Sequence, residues 1–175
     1  MKSPLRRLLK SDPSWPDAFE RHVARLRPLI SAQNISFHHI GSTAVSDLIA
    51  KPVIDILLVV PNLPDLVSES KRFEEQGYDV RGTYGIEGRH YLKFPNTHLN
   101  CAANIHAFEM GAPEIDRHLR FRDRLRLDSE LRDEYSALKQ ELCRGSDTIP
   151  PHYQSGKTSF IEKVLADSVE GIRLK

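Results

Sequence analysis

The sequence of 175 residues contains little of several features that would assign a class of protein directly. Its two cysteines, Cys101 and Cys143, are too few for a disulfide framework, and they form no CxxC zinc motif. No apolar run approaches the roughly 20 residues that a membrane-spanning helix needs. Residues 1–10 are basic, but no apolar segment of signal-peptide length follows them. We therefore expect a reduced, cytoplasmic protein with no membrane partner.

The sequence also lacks a clear excess of either positive or negative charge. The chain has 25 Lys and Arg residues against 24 Asp and Glu residues, which gives a formal net charge of +1. A protein that coats nucleic acid has a clear basic excess, so we do not expect nucleic acid as a partner. A small basic pocket is compatible with this balance, because a local cluster disappears in the total. The arginine-rich segment 117–126 also contains acidic residues, and we interpret it as a solvated helix.

The order of the predicted elements indicates an α+β (or α/β) fold. We expect residues 1–11 to be a flexible arm and residues 12–175 to form a single domain. Apolar periodicity predicts a helix after Ser14, and β-prone runs predict strands at residues 35–40, 53–60, 78–84, 89–94 and 98–108. Further helices are predicted at residues 63–76, from Pro113 to about residue 126, after the capping residue Asp128, and around Phe160. This order predicts a mixed β-sheet flanked by helices, with a helical C-terminal part.

A glycine turn and a carboxylate suggest a ligand site. Gly41 and Ser42 end one predicted strand, and Asp55 interrupts the apolar run of the next. Glycine permits close approach of the backbone to a ligand, and exposed N–H groups and a hydroxyl can hold phosphate oxygens. A carboxylate on the neighbouring strand can hold a hard divalent cation against the same phosphates. The alternative is that Asp55 points outward at a strand end, or pairs with Lys51 or an arginine.

The segment that carries these residues resembles the signature of the GrpB-like family of the nucleotidyltransferase superfamily, which has the DNA polymerase β-like fold. Residues 39–57 read HIGSTAVSDLIAKPVIDIL. Weaker matches elsewhere extend the resemblance to roughly residues 12–166. They include Trp15-Pro16, Gly88-Arg89 with Tyr91 and Lys93, Asn104-Ile105-His106, Phe121 to Arg126, Tyr135 with Leu138-Lys139, and Tyr153 with Lys157.

The resemblance implies a phosphate site beside a metal site. The superfamily pattern places Gly and Ser before an Asp–hydrophobic–Asp/Glu unit; Gly41, Ser42 and Asp55 match it, but Leu57 stands where the second carboxylate belongs. Paired carboxylates hold the two ions of two-metal phosphoryl transfer, so this departure weakens the case for that chemistry. His106, on the polar face of its strand with Asn104, is the candidate further ligand. The implied cofactor is a divalent ion, Mg²⁺ or Mn²⁺.

Further residues are candidates for the same pocket. We expect Gly41, Ser42, Thr43, Lys51, Arg89 and Lys93 to bind nucleotide or phosphate, and Ser42 and Asp55 to be catalytic. His39, beside the turn, is a candidate for orienting the ligand or Asp55, or a structural histidine. Other cations at family-matching positions are Arg122, Lys139 and Lys157, with a solvated surface as their alternative. Gly156-Lys157-Thr158 is no P-loop, because Pro151 occupies the position of the first glycine.

Three functions remain open at this stage. The leading hypothesis is a nucleotidyltransferase that binds a nucleotide or another phosphorylated small molecule with a divalent ion, with an unidentified acceptor. The second is a catalytically inactive module that binds a nucleotide or a coenzyme A-type ligand. The resemblance places it in CoA metabolism, because such domains are fused to dephospho-CoA kinase in some proteins. The third is a protein-interaction domain that uses the charged C-terminal helices.

Overall fold

A five-stranded mixed β-sheet forms the centre of the fold, as the sequence predicts. The computed structural model describes residues 7–95, 101–146 and 148–170, without the side chains of residues 168–170. The strands are β1 (Ser36–Ile40), β2 (Val53–Val60), β3 (Asp79–Val80), β4 (Arg89–Phe94) and β5 (Ala102–Glu109). Their order in the sheet is β1-β2-β5-β4-β3, in which β2 and β5 are parallel and the other neighbours antiparallel.

Seven α-helices surround the sheet within the described residues. They are α1 (Trp15–Leu26), α2 (Leu63–Ser68), α3 (Ser70–Glu75), α4 (Pro113–Leu127), α5 (Ser129–Leu142), α6 (Tyr153–Gly156) and α7 (Thr158–Glu170). The predicted cap of α5 is confirmed, since the Asp128 carboxylate accepts a 2.9 Å hydrogen bond from the Leu131 N–H. None of the helices in the described residues is long and apolar enough to span a bilayer.

The two faces of the sheet have different coverings. Ile54, Ile56 and Leu58 of β2 are fully buried on one face, in a core that includes Trp15 and Leu26 of α1. Because side chains alternate along a strand, Asp55, Leu57 and Val59 lie on the other face. There α4 covers Leu57, Val59 and Phe108, while Asp55 lines a pocket. We call this second side the site face.

Several predicted elements differ in extent from the observed ones. The apolar residues Phe19, Val23, Leu26 and Ile30 are spaced as one stripe of a helix, but the buried positions in α1 are Trp15, Ala18, His22 and Leu26. The helix predicted over residues 63–76 is two helices that meet at Glu69. The strand predicted over residues 78–84 covers only Asp79–Val80, because Gly82 and Tyr84 adopt positive φ angles that lead the chain out of the sheet.

The predicted N-terminal arm lies partly outside the described residues, which begin at residue 7. Leu9 pairs with Ala50 through two backbone hydrogen bonds of 2.8 and 2.9 Å. This bridge fastens the start of the described chain to the loop that leads into β2. Residues 98–100 of the predicted fifth strand, and the end of the last predicted helix at Ile172, also lie outside the described residues.

The helical C-terminal half packs on the loop that carries the glycine turn. Val45 and Leu48 of that loop are buried against Leu125 of α4 and Tyr135 of α5. Phe121, Leu131, Leu138 and Phe160 pack around them. The apolar side of α5 is therefore buried against the segment between the turn and β2, and this contact fixes the position of the turn relative to the sheet.

Candidate functional site

Asp55 and the glycine turn meet at the end of the site face. Asp55 stands opposite Ile40 of β1 and opposite Asn104 of β5 in the sheet register. Its side chain is 28% exposed, and Oδ1 accepts a 2.8 Å hydrogen bond from the Asn104 amide. The glycine turn and Asp55, which the sequence predicts to form one site, therefore lie next to each other in the structure.

Gly41 begins the turn in a conformation that other residues avoid. Its φ is +69° and its ψ is −169°, a region populated almost only by glycine. A Cβ atom at this position would lie 2.5 Å from Asp55 Oδ2. The chain then forms a short 3₁₀ turn over Ser42–Ala44, so the absence of a side chain allows the turn to lie directly against the carboxylate.

His106 links Asp55 to Arg89. Its Nε2 lies 3.8 Å from Asp55 Oδ1, and its Nδ1 lies 3.4 Å from Arg89 Nη1. A guanidinium can only donate, so Nδ1 accepts and the neutral ring carries its proton on Nε2, which faces Asp55. Burial opposes ionisation of Asp55, but hydrogen bonds from His106 and Asn104, together with charge on His106 and Lys51, outweigh it and lower the pKa of the carboxyl. Asp55 is therefore an anion at neutral pH.

These residues do not fit a divalent metal centre well. The structure does bring Asp55 and His106 together, but an Nε2 that carries a proton has no lone pair for a metal. Leu57, at the position of the second carboxylate, is fully buried against Ile40 and Phe108. No group of three His, Cys, Asp or Glu side chains suited to a metal occurs within the described ranges. Among the residues that the structure describes, Asp55 is the one anionic side chain in the small pocket beside the turn.

Arg89, which we expect from the sequence to bind nucleotide or phosphate, lies elsewhere in the structure. The residue is only 7% exposed. Its Nε donates to the Thr83 carbonyl at 3.1 Å and its Nη2 to the Tyr84 carbonyl at 2.8 Å, besides the contact of Nη1 with His106. These contacts use a donor on each of its three nitrogens, and Arg89 lines neither the pocket around Asp55 nor the cavity that adjoins it, so it supports the loop before β4.

Three lysines gather around the Asp55 pocket and the adjoining cavity. A small pocket of about 70 Å³ is lined by Ser42, Asp55, Asn104, Lys51 and Lys157, among others. A larger cavity of about 730 Å³ shares Lys51, Val53, Asn104 and Gln154 with it and is also lined by Lys93, Tyr84 and Tyr91. The shared residues make the two spaces neighbours. The local excess of positive charge that a total of +1 conceals is thus present on the site face.

Tyr153 of α6 supports two of these lysines. The Nζ atoms of Lys157 and Lys51 lie 4.5 and 5.3 Å from the centre of its ring. Aromatic faces attract cations, so one ring holds both ammonium groups beside the pocket. Burial lowers the pKa of Lys157 to about 8, and the nearby charge of Lys51 adds to this effect. Lys157 is therefore still mainly a cation at pH 7.

Lys139 of α5 is a buried lysine that braces the glycine turn. It is fully buried, its Nζ donates to Ser42 Oγ at 3.2 Å and to the Ile49 carbonyl, and it lies 4.5 Å from the Tyr135 ring centre. Burial lowers its pKa to about 7. The sequence carries a signal for this burial, since Lys139 follows Tyr135 by one helical turn on the buried stripe. The alternative of a solvated surface is therefore wrong for this residue.

His39 and Thr43 form a support behind the turn. Thr43 Oγ1 donates to the Val53 carbonyl at 3.3 Å and lies 3.0 Å from His39 Nε2, which must then donate to it. The His39 ring stacks on Phe19 at 5.0 Å, and burial lowers its pKa to about 4. His39 therefore acts on the turn through Thr43, whose hydroxyl is already engaged within the protein.

The arginines of α4 lie in ion pairs and backbone contacts. Arg117 pairs with Glu162, and Arg120 pairs with Asp116. Arg122 pairs with Asp123 and donates to the His39 carbonyl at 3.1 Å. Within residues 117–126, however, only Arg124 and Arg126 are exposed, so the segment is a half-buried helix and not the solvated one that we expect from the sequence. The contacts also show that Arg122, one of the candidate pocket cations, braces β1 instead.

The comparison with known proteins agrees with this fold. The family model for GrpB protein matches residues 6–167. The chain belongs to the GrpB family. A UPF0157 protein of Halalkalibacterium halodurans is 38% identical over 159 residues, which cover 90% of this chain and 80% of that protein. The crystal structure of GrpB from Enterococcus faecalis matches with a TM-score of 0.83 and 30% identity, covering 95% of this chain and 99% of that one.

Two matches are more distant or cover less of the matched protein. Cid1 poly(U) polymerase, in a crystal structure with MgGTP bound, has a TM-score of 0.57 at 12% identity, covering 77% of this chain and 44% of that one. This likeness confirms the nucleotidyltransferase-like fold. A dephospho-CoA kinase of Mycobacterium tuberculosis is 30% identical over 174 residues, which cover 86% of this chain but only 43% of the kinase.

Proposed function

We propose that this GrpB protein binds a nucleotide or another phosphorylated small molecule on the site face. The observation that carries the proposal is the gathering of Lys51, Lys93 and Lys157 around two adjoining pockets beside the Ser42 turn. Lysine is suited to phosphate as a point charge. Three lysines outnumber the two carboxylates that line the pockets, Asp55 and Asp79, and Asp79 is paired with Arg81, so the balance favours an anion. The nucleotidyltransferase-like fold supports a nucleotide as that anion.

In this proposal the phosphates occupy the side of the cavity nearest the glycine turn. Lys157 and Lys51 neutralise their charge, and Lys139 holds the Ser42 hydroxyl in place for them. Lys93 lies two residues from Tyr91 on β4 and contributes charge beside the Tyr84 ring of the cavity. Asp55 repels phosphate, so its position against Gly41 keeps the anion toward the lysines.

Metal-dependent nucleotidyl transfer is the second candidate function. The observation that favours it is the position of Asp55 beside the turn, where the superfamily has its first carboxylate. With Leu57 in the second position and His106 facing Asp55 through a protonated nitrogen, binding without a metal is the better supported function. The relative named dephospho-CoA kinase supports a CoA-type ligand within the same proposal.

Thermal unfolding with a set of ligands tests the proposal. ATP, GTP, CTP, UTP, CoA and inorganic triphosphate are each added in EDTA, and again with Mg²⁺ or Mn²⁺. We expect at least one ligand to raise the melting temperature in EDTA, because ligands that bind only the folded state stabilise it. Stabilisation that requires the metal would favour the transferase. A melting temperature unchanged by every ligand and metal would contradict both functions.

A further inference from the structure

Tyr84 in the loop between β3 and β4 has an unusual conformation. It is 57% exposed, and its φ is +45°. A left-handed conformation is strained for an L-residue, and glycine would avoid this strain. An exposed aromatic side chain at such a position gains little from burial in return. The loop therefore presents this ring to the solvent at a cost in stability.

Arg89 holds the loop in this conformation. Its guanidinium donates to the carbonyl oxygens of Thr83 and Tyr84, contacts His106, and lies 4.7 Å from the centre of the Tyr91 ring. His106 in turn faces Asp55. The position of the Tyr84 ring is thus connected to Asp55 through Arg89 and His106. This supporting role explains why Arg89, which matches a family motif, is buried.

The Tyr84 ring forms part of the larger cavity. It stacks on the ring of Tyr91 with the centroids 5.2 Å apart and the planes 19° apart. The Nζ atom of Lys93 lies 5.3 Å from the Tyr84 ring centre and 5.7 Å from that of Tyr91. Tyr91 is buried and pairs with His106 across the sheet, so it supplies a rigid base for the exposed ring.

We propose that Tyr84 is a stacking platform for the planar base of the ligand, with Lys93 beside it. This inference rests on the proposed nucleotide-binding function and names the base subsite of the same cavity. Aromatic rings stack on every base, and a stack contributes about 1–3 kcal/mol per base. Because the larger cavity and the Asp55 pocket share Lys51 and Asn104, a single ligand has its base at Tyr84 and its phosphates toward Lys157.

Calorimetric titration of three loop variants tests the platform. Tyr84→Ala removes the ring, Tyr84→Phe keeps it without the hydroxyl, and Ile86→Ala shortens another partly exposed apolar side chain of the same loop. Each variant is titrated with two probes. One is whichever of ATP, GTP, CTP, UTP and CoA binds the wild-type protein most tightly, and the other is inorganic triphosphate. We expect Tyr84→Ala to weaken the nucleotide or CoA at least about tenfold and triphosphate less than about twofold, whereas the other two variants bind both normally.

A fluorescence measurement gives an independent readout. Tyr84→Trp keeps an aromatic platform and places an exposed indole beside the cavity, while the one native tryptophan, Trp15, is buried. We expect the base-containing ligand to quench this added fluorescence and triphosphate to leave it unchanged. Melting curves of each variant verify that the fold is retained.

The outcomes separate this inference from the function on which it rests. If the wild-type protein binds none of the base-containing ligands or triphosphate, the proposed function itself fails. If it binds a nucleotide or CoA and Tyr84→Ala binds it equally well, only the platform is overturned. An equal loss of affinity for triphosphate would also overturn it, because the ring would then act on the phosphate side.

Discussion

Gly41 and Asp55 contact each other so closely that no side chain fits between them. A Cβ at Gly41 would lie 2.5 Å from Asp55 Oδ2, and the φ of Gly41 is +69°. The two residues are 14 positions apart, at the end of β1 and within β2, two strands that pair in antiparallel register. The glycine of the turn and the carboxylate of the strand are therefore one structural unit, and the site depends on both.

Gly41→Ala tests this unit. We expect it to destabilise the protein by more than the roughly 1–3 kcal/mol of the strained backbone, because the new Cβ also overlaps the carboxylate. Gly77→Ala is the matched control, since Gly77 has a φ of +84° and no atom lies within 4 Å of the place that a Cβ would take there. Urea denaturation measures both. Equal losses in the two variants would show that the overlap with Asp55 carries no energy.

Asp55→Asn distinguishes the two candidate functions. It removes the carboxylate charge but keeps the shape of the side chain. If lysines bind the phosphates directly, we expect the affinity for ATP in EDTA to stay equal or to increase, because a repulsive charge has been removed. Calorimetry with ATP gives the comparison. If binding is metal-dependent, the variant will instead lose affinity in the presence of Mg²⁺ or Mn²⁺, which would favour the transferase.

Lys139→Met changes how stability depends on pH. Burial lowers the pKa of Lys139 to about 7 from an ordinary value near 10.5, so between these values the unfolded chain binds a proton that the folded chain does not. The wild-type protein therefore gains stability from Lys139 as the pH rises from about 7 toward 10. The gain approaches about 1.4 kcal/mol for each pH unit.

The variant lacks this contribution but retains that of Lys157, whose pKa is also lowered. Urea unfolding at several pH values gives the two stability curves. We expect the curve of Lys139→Met to rise less steeply between pH 7 and 10 than that of the wild-type protein. Two parallel curves would mean that Lys139 keeps its ordinary pKa in the fold.

The sequence predicts the features of this protein that depend on neighbouring residues. The apolar run around Asp55 predicts β2, and Gly41 at the end of another β-prone run predicts the turn. Gly41 and Asp55 lie close together because β1 and β2, which are consecutive in the sequence, pair in antiparallel register. The segment that connects these strands is longer than a tight turn. Local pattern and family resemblance therefore predict both the sheet and the centre of the site.

Other features depend on contacts between distant segments and could not be read in this way. Arg89 and Lys51 are both cations beside predicted strands, yet Arg89 donates to loop carbonyls while Lys51 lines the cavity. Which group an arginine meets is decided by how the loop before β4 bends, and that bend follows from the positive φ angles at Tyr84 and its neighbouring glycines. Lys139 reaches Ser42 across 97 positions of sequence, a contact that no local pattern specifies.

The central claim, that lysines on the site face bind a phosphorylated ligand, is tested most directly by the affinity of two lysine variants. Lys157→Met removes a cation of the pocket, and Lys163→Met removes an exposed cation of α7. Calorimetric titration with the ligand that stabilises the wild-type protein most gives both dissociation constants. We predict a loss of about tenfold or more for Lys157→Met, since hydrogen bonds to charged groups contribute roughly 1.5–3 kcal/mol, and less than about twofold for Lys163→Met. Equal affinities for the two variants and the wild-type protein would contradict the account.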